Sequence, residues 1–235
     1  MSFLTASWRK LCFVNYDIDP AVLSPYVPPH TELDFFQGKC KISLVGFLFD
    51  EVKIKGITFP FHKRFEEINL RFYVVHDDFG KKKRGTVFLS EIVSKRAVAF
   101  IANNLYNENY ERKKMKWKHY LSENENVIEY RLKDNGAWQT IRMNTESNPK
   151  PFNKGTETEF ITEHYWGYSK KNDFRAYEYE VRHPRWFEYP VKSYEVNFDF
   201  GAVYGKEFAF LSKLEPSSIQ CMEGSPITIE GKKVL

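Results

Sequence analysis

Residues 65–75, Phe-Glu-Glu-Ile-Asn-Leu-Arg-Phe-Tyr-Val-Val, alternate along most of their length. Ile68, Leu70, Phe72 and Val74 fall on one side, and Glu67, Asn69, Arg71 and Tyr73 on the other. A period of two is the signature of a β-strand with two chemically different faces. Further strand-like runs lie at 11–16, 40–49, 85–91, 127–132, 138–144, 159–168, 175–182, 194–198 and 208–214. The runs at 127–132 and 138–144 flank Lys133-Asp134-Asn135-Gly136, whose Asn-Gly pair tolerates the positive φ of a tight hairpin. Helical signals are few. Asp19-Pro20 predicts a short helix through Leu23 with Asp19 as N-cap, and Ser94 through Leu105 carries apolar residues at 97, 98, 101 and 105.

The expected fold is therefore mainly β (α+β), largely antiparallel, with a few short helices. So many strands must dispose of their edges, which predicts a closed or nearly closed β-barrel. No repeat or Pro/Gly/Ser linker divides the 235 residues, so residues 1–235 read as one domain. Aromatic residues at 17%, among them 21 Phe and 14 Tyr, strengthen the β reading because they pack well on pleated surfaces. With 42% hydrophobic and 28% charged residues, the composition is that of a soluble globular protein.

Charge and chemistry narrow the function. A net charge of +4 suits an anionic small molecule better than a polyelectrolyte. The basic stretches at 81–84 and 112–118 read as a solvated turn and as an exposed edge strand blunted by lysines; nucleic acid is not expected as a partner. The first ten residues are no secretory signal, and no apolar run spans a bilayer, so no membrane association and a cytoplasmic location are expected. Cys12, Cys40 and Cys221 are scattered and odd in number, which argues against a disulfide framework. The six histidines show no metal-binding spacing, and there is no nucleophile elbow, phosphate-binding loop or dinucleotide fingerprint. Neither a metal nor a cofactor is expected. His164 beside Glu163 is no ready acid–base couple, since neighbours on a strand face opposite ways.

The candidate chemistry lies on the polar side of residues 65–75. Glu67 and Arg71 stand roughly 13 Å apart along a strand, so they either lean together over Asn69 or splay toward opposite ends of a ligand. That face is either the solvent side of an antiparallel strand or the wall of a pocket. In a pocket, a buried Arg71 prefers a carboxylate or another planar anion. Asn69 would then orient a carbonyl and Glu67 would move a proton, with Tyr73 completing the binding face.

Several segments together resemble the YqjF-like family of uncharacterised proteins. Trp8-Arg9-Lys10-Leu11, Leu33-Asp34-x-Phe36-x-Gly38 and Ser43-Leu44-Val45-Gly46-Phe47 look like its opening. Phe65-x-Glu67-x-Asn69-Leu70-Arg71-x-Tyr73-Val74 is similar to its central motif, followed by Gly85-x-Val87-Phe88-Leu89-Ser90. Phe160-Ile161-Thr162-Glu163-His164-Tyr165 and Glu180-Val181-x-His183-Pro184-x-Trp186 continue the likeness, which extends from Trp8 to about residue 215. The family is similar to acetoacetate decarboxylase in fold, which implies a cone-like barrel around a pocket and makes a homo-oligomer plausible. Decarboxylases of that kind carry a lysine pair, one of which forms a Schiff base. The counterpart here, Asn107-Glu108-Asn109-Tyr110-Glu111, places Tyr110 or Glu111 where the lysines would be. The resemblance thus implies lyase-type or isomerase-type chemistry without an imine, with Glu67 and Tyr110 as candidate catalytic groups, or else a non-enzymatic ligand-binding or sensing domain.

Overall fold

The structure, a computed structural model, describes residues 2–58, 63–95 and 110–235. In chain order its strands are β1 (Leu4–Ile18), β2 (Glu32–Leu33), β3 (Phe35–Phe36), β4 (Lys39–Ile54), β5 (Ile57–Thr58), β6 (Phe65–Asp78), β7 (Lys81–Val93) and β8 (Tyr110–Arg112). They continue with β9 (Lys114–Leu121), β10 (Asn126–Asp134), β11 (Ala137–Thr145), β12 (Trp166–Lys170), β13 (Ala176–Arg182), β14 (Val191–Asn197), β15 (Ser218–Ile229) and β16 (Lys233–Val234). Short helices occupy α1 (Pro20–Leu23), α2 (Glu157–Thr162) and α3 (Phe200–Tyr204). No helix among the described residues is long and apolar enough to cross a membrane. Most of the helix expected from Ser94 to Leu105 lies outside the described residues.

The large sheet runs β2-β6-β4-β1-β15-β13-β12-β7-β8, and β7 also pairs with β6. The pairings are antiparallel except β12–β7 and β7–β8. A second sheet, β14-β11-β10-β9, lies against the first. Both sides of β6 are buried as a result. Ile68, Leu70, Phe72 and Val74 share one core cluster with Ile128, Tyr130 and Leu132 of β10 and with Ile141 and Met143 of β11. The other side of β6 turns toward a separate cluster that includes Phe13, Phe47, Phe49, Phe160 and Trp186. The polar row is therefore not a solvent face: Glu67 and Asn69 are each 1% exposed and Arg71 8%.

Local chemistry explains most elements. Asp19 caps α1 by accepting from the Ala21 amide at 2.9 Å, with Pro20 in the first turn. The β10–β11 hairpin closes between Asp134 and Ala137, where Asn135 (φ 44°) and Gly136 (φ 86°) both take left-handed backbone. Asn135→Ala is expected to cost about 1 kcal/mol, because alanine lacks asparagine's tolerance for that region. Urea unfolding checks this, and a loss within 0.3 kcal/mol or so of zero would contradict it. β9 is an edge strand of the small sheet, with Lys114, Lys116 and Lys118 exposed. The 81–84 stretch departs from a solvated turn: the turn is Phe79-Gly80, and Lys83 is buried between Asp78 (2.6 Å) and Glu178 (3.1 Å).

Of the expected strands, 159–168 is helical over its first part, with 166–168 in β12, and 208–214 is helical through Lys213. Residues 157–162 form α2, capped by Thr156, whose side chain accepts from the Glu159 amide. The Thr-x-x-Glu spacing of a capping box outweighs the β-favouring Phe, Ile and Thr residues there. Residues 206–213 form a 3₁₀ stretch that buries Phe208 and Leu211, three apart as that geometry stacks them. β15 was not expected at all, yet it pairs with β1 from Leu4↔Ile229 to Asn15↔Ser218.

Candidate functional site

Glu67, Asn69 and Arg71 line a cavity of about 60 Å³, together with Tyr110, His164, Trp8 and Trp186. β6 is pinned on one side by β4 in continuous register from Ile42↔Phe72 to Phe49↔Phe65. On the other side its register with β7 shifts between Leu70↔Ser90 and Arg71↔Phe88. A bulge of this kind re-aims nearby side chains, and here it falls beside Arg71.

Glu67 and Arg71 splay rather than pair. Asn69 Nδ2 donates to Glu67 Oε1 at 2.9 Å, and the Tyr110 hydroxyl donates to Oε2 at 3.3 Å. Burial pushes the Glu67 carboxyl up to about 7, against the opposing pull of these hydrogen bonds and of the Arg71 charge. It therefore changes protonation state near neutral pH, the property a proton carrier needs. Tyr110 is raised well above the ordinary phenol range, first by burial and then by the charges of Glu67 and Glu91, so it stays a donor.

Arg71 forms no ion pair among the described residues. One Nη2 hydrogen reaches the Ile161 carbonyl at 3.3 Å, and the guanidinium lies over the rings of Phe13 (4.9 Å) and Tyr73 (5.7 Å). Its Nε has no hydrogen-bond partner among the described residues. A desolvated guanidinium without a carboxylate is costly unless something anionic completes it.

Tyr73 joins the others on the same side of β6 but is not in the cavity wall. Its hydroxyl lies 2.6 Å from Ser43 Oγ, which in turn donates to Asn15 Oδ1 at 2.5 Å. The ring instead supports the site, 4.7 Å from the His164 ring. Asn69 also differs from expectation: with Nδ2 turned to Glu67, the group it leaves unpartnered is Oδ1, an acceptor that suits a hydroxyl or N–H better than a carbonyl.

Sequence reasoning did not assign His164, Asp34, Trp8, His183 or Trp186 to the site. The His164 ring is held by Asp34 Oδ2 at 3.2 Å, and Arg84 Nε grips the same oxygen at 2.6 Å. Burial pulls His164 down to about 4, so it is neutral at pH 7. Burial alone would raise Asp34, but its bonds to His164 and Arg84 outweigh that and hold it below the usual carboxylate range. On the apolar wall Trp8 meets Phe47 and Trp186 edge-on at 5.6 and 6.2 Å, and His183 stacks on Trp186 at 4.3 Å. All these residues sit in segments quoted above for their family likeness; their spacing alone carried no chemical signal.

No lysine lines the cavity among the described residues. Segments 59–62 and 96–109 contain none either. Among the described residues no cluster of His, Cys, Asp and Glu is arranged to hold a metal. Cys12 and Cys221 face each other across β1 and β15 as free, buried thiols.

Comparison with known proteins places the fold. The chain is 26% identical over 184 residues to the uncharacterized protein YqjF of Bacillus subtilis, covering 77% of this chain and 72% of that one. Among solved structures it is similar to acetoacetate decarboxylase from Legionella pneumophila, with a TM-score of 0.68 and 13% identity over 99% of this chain and 86% of that one. It is also similar to the enduracididine biosynthesis enzyme MppR in complex with pyruvate, with a TM-score of 0.71 and 11% identity over 98% and 89%. An acetoacetate decarboxylase-like enzyme from Sphingomonas wittichii gives a TM-score of 0.66 at 12% identity over 100% and 94%. Residues 5–226 match the profile of the uncharacterized conserved proteins grouped as DUF2071, and the chain belongs to that family.

Proposed function

We propose that the cavity beside Arg71 binds a small organic acid and that the protein acts on it as a lyase or isomerase without a Schiff base. The pairing order of the large sheet, with β7 returning to β6, supports reading it as a barrel wrapped around this cavity. The single observation that carries the binding reading is Arg71: 8% exposed, facing a cavity, and without an ion-pair partner among the described residues. The acid's carboxylate supplies what the protein leaves out. Its size is that of a compound of a few carbons, since the space is about 60 Å³. MppR, a neighbour in fold, has been solved with pyruvate, which is consistent with a small acid.

Glu67 then takes or gives a proton, with Asn69 and Tyr110 holding its two oxygens. The absence of lysine from the cavity wall and from segments 59–62 and 96–109 removes the imine route, so any charge that develops must be stabilised by Arg71, Tyr110 and the Trp8 indole instead.

Thermal-shift and calorimetric titration with three-carbon acids tests this. Wild type is expected to gain stability on adding acid, whereas Arg71→Met loses about 3 kcal/mol of binding, roughly 100-fold in affinity. Failure of every acid to bind wild type would end the proposal. Turnover seen by mass spectrometry separates the enzyme from a pure binder.

A further inference from the structure

Among the described residues, Trp8 Nε1, Arg71 Nε, Asn69 Oδ1 and His164 Nδ1 are buried polar atoms on the cavity lining that lack a hydrogen-bond partner, and the buried Glu91 carboxyl, which meets Tyr110, lines the same cavity. Their character is fixed by what holds the other end of each group. The indole and guanidinium nitrogens can only donate. Asn69 Oδ1 accepts, because Nδ2 is committed to Glu67 Oε1 at 2.9 Å. His164 Nδ1 accepts, because Asp34 takes the hydrogen on Nε2, and Asp34 is kept an anion by Arg84 at 2.6 Å. These four atoms therefore offer two donors and two neutral acceptors.

A keto acid answers half of this. Its carboxylate satisfies Arg71 and Trp8, but its carbonyl is a third acceptor and leaves Asn69 Oδ1 and His164 Nδ1 facing lone pairs. An acid without a further polar group leaves them empty. A hydroxyl supplies the missing hydrogen, and two hydroxyls supply both. An ammonium group also donates, but it would place a cation beside Arg71 and opposite a Glu67 that burial favours in its neutral form, while Glu91, the other carboxyl of the wall, is already hydrogen-bonded to Tyr110.

We propose that the ligand is a hydroxy acid, its carboxylate on Arg71 and Trp8 and its hydroxyl hydrogen directed at Asn69 Oδ1 and His164 Nδ1. This rests on the acid-binding reading and deepens it. His164 is then a contact residue for the hydroxyl, with Asp34 and Arg84 setting its tautomer.

The test is a size-matched series by isothermal titration calorimetry: glycerate, lactate, pyruvate, propionate and alanine. Lactate is expected to bind about tenfold or more tightly than pyruvate or propionate, with glycerate at least as tight as lactate. His164→Phe keeps the ring against Tyr73 and Phe160 but removes the acceptor. It should bring lactate down to the affinity of propionate while leaving propionate unchanged, an outcome a merely structural histidine would not give. The wild-type ranking needs no variant, so a poorly folding His164→Phe leaves the test intact. Pyruvate or alanine binding as tightly as lactate overturns the hydroxyl assignment and leaves acid binding standing. No binding of any acid overturns both.

Discussion

Glu67→Gln is expected to make the protein more stable, by about 3 kcal/mol above pH 7, and the gain is expected to vanish in acid. The buried carboxyl is raised from 4.5 to about 7, which makes its protonated form the favoured one in the folded chain. Below pH 4.5 the acid is protonated in folded and unfolded chains alike, so it costs nothing. Between pH 4.5 and 7 the unfolded chain releases a proton that the folded chain retains, and stability falls as pH rises. Above pH 7 the full cost of a desolvated carboxylate is present. Glutamine keeps an oxygen for Asn69 Nδ2, its amide donates to the Tyr110 oxygen in the reverse of the native bond, and it never ionises, so the pH dependence of the difference between variant and wild type isolates the ionisation of this one group. Urea unfolding at pH 4, 6 and 8 reads it. A difference that does not change with pH would mean that Glu67 is not the desolvated acid described here. A destabilising ionisable group in a cavity wall is what the proposed acid-binding site calls for.

Gly224→Ala is the second large effect, a loss of about 4 kcal/mol. Gly224 sits on β15 with φ +81°, opposite Arg9 of β1. A Cβ there would lie 2.0 Å from the Trp8 carbonyl oxygen, a backbone atom that cannot swing aside. The pairing of β1 with β4 is irregular between Arg9 and Cys12, where Lys10 takes φ 54°, next to this contact. Trp8 lines the cavity, so the same substitution should also disturb the site, visible as altered tryptophan fluorescence. Gly38→Ala is the control: its φ is +78°, but a Cβ meets nothing within 4 Å, so only the backbone cost of about 1 kcal/mol applies. Equal losses from the two variants would contradict the close approach.

These two positions show what the chain disclosed and what it withheld. The alternation in residues 65–75 was legible because a two-residue period survives whichever way the strand faces. Its orientation was not, since Glu67, Asn69 and Arg71 read equally well as a wet face; burial by distant elements such as Phe160, Trp186 and β10 decided the matter. β15 stayed hidden because Gly224 and Pro226 interrupt it. Gly224 takes φ +81° opposite Arg9, and Pro226 is tolerated because on the edge away from β1 the β13 pairing ends at Thr228 and the Glu188 bridge lies at Met222, so no ladder crosses Pro226 there. The helix at 157–162 carried a legible Thr-x-x-Glu signal that its Phe-Ile-Thr run obscured. The His164–Asp34 contact joins residues 130 positions apart, and no local pattern encodes such a meeting.

The most direct check of the acid-binding account is a crystal structure of the wild-type protein grown with lactate. The predicted density shows a carboxylate against Arg71 Nε and the Trp8 indole, with the hydroxyl between Asn69 Oδ1 and His164 Nδ1. Arg71 paired with a carboxylate of the protein itself, beside a cavity holding no lactate, would contradict it.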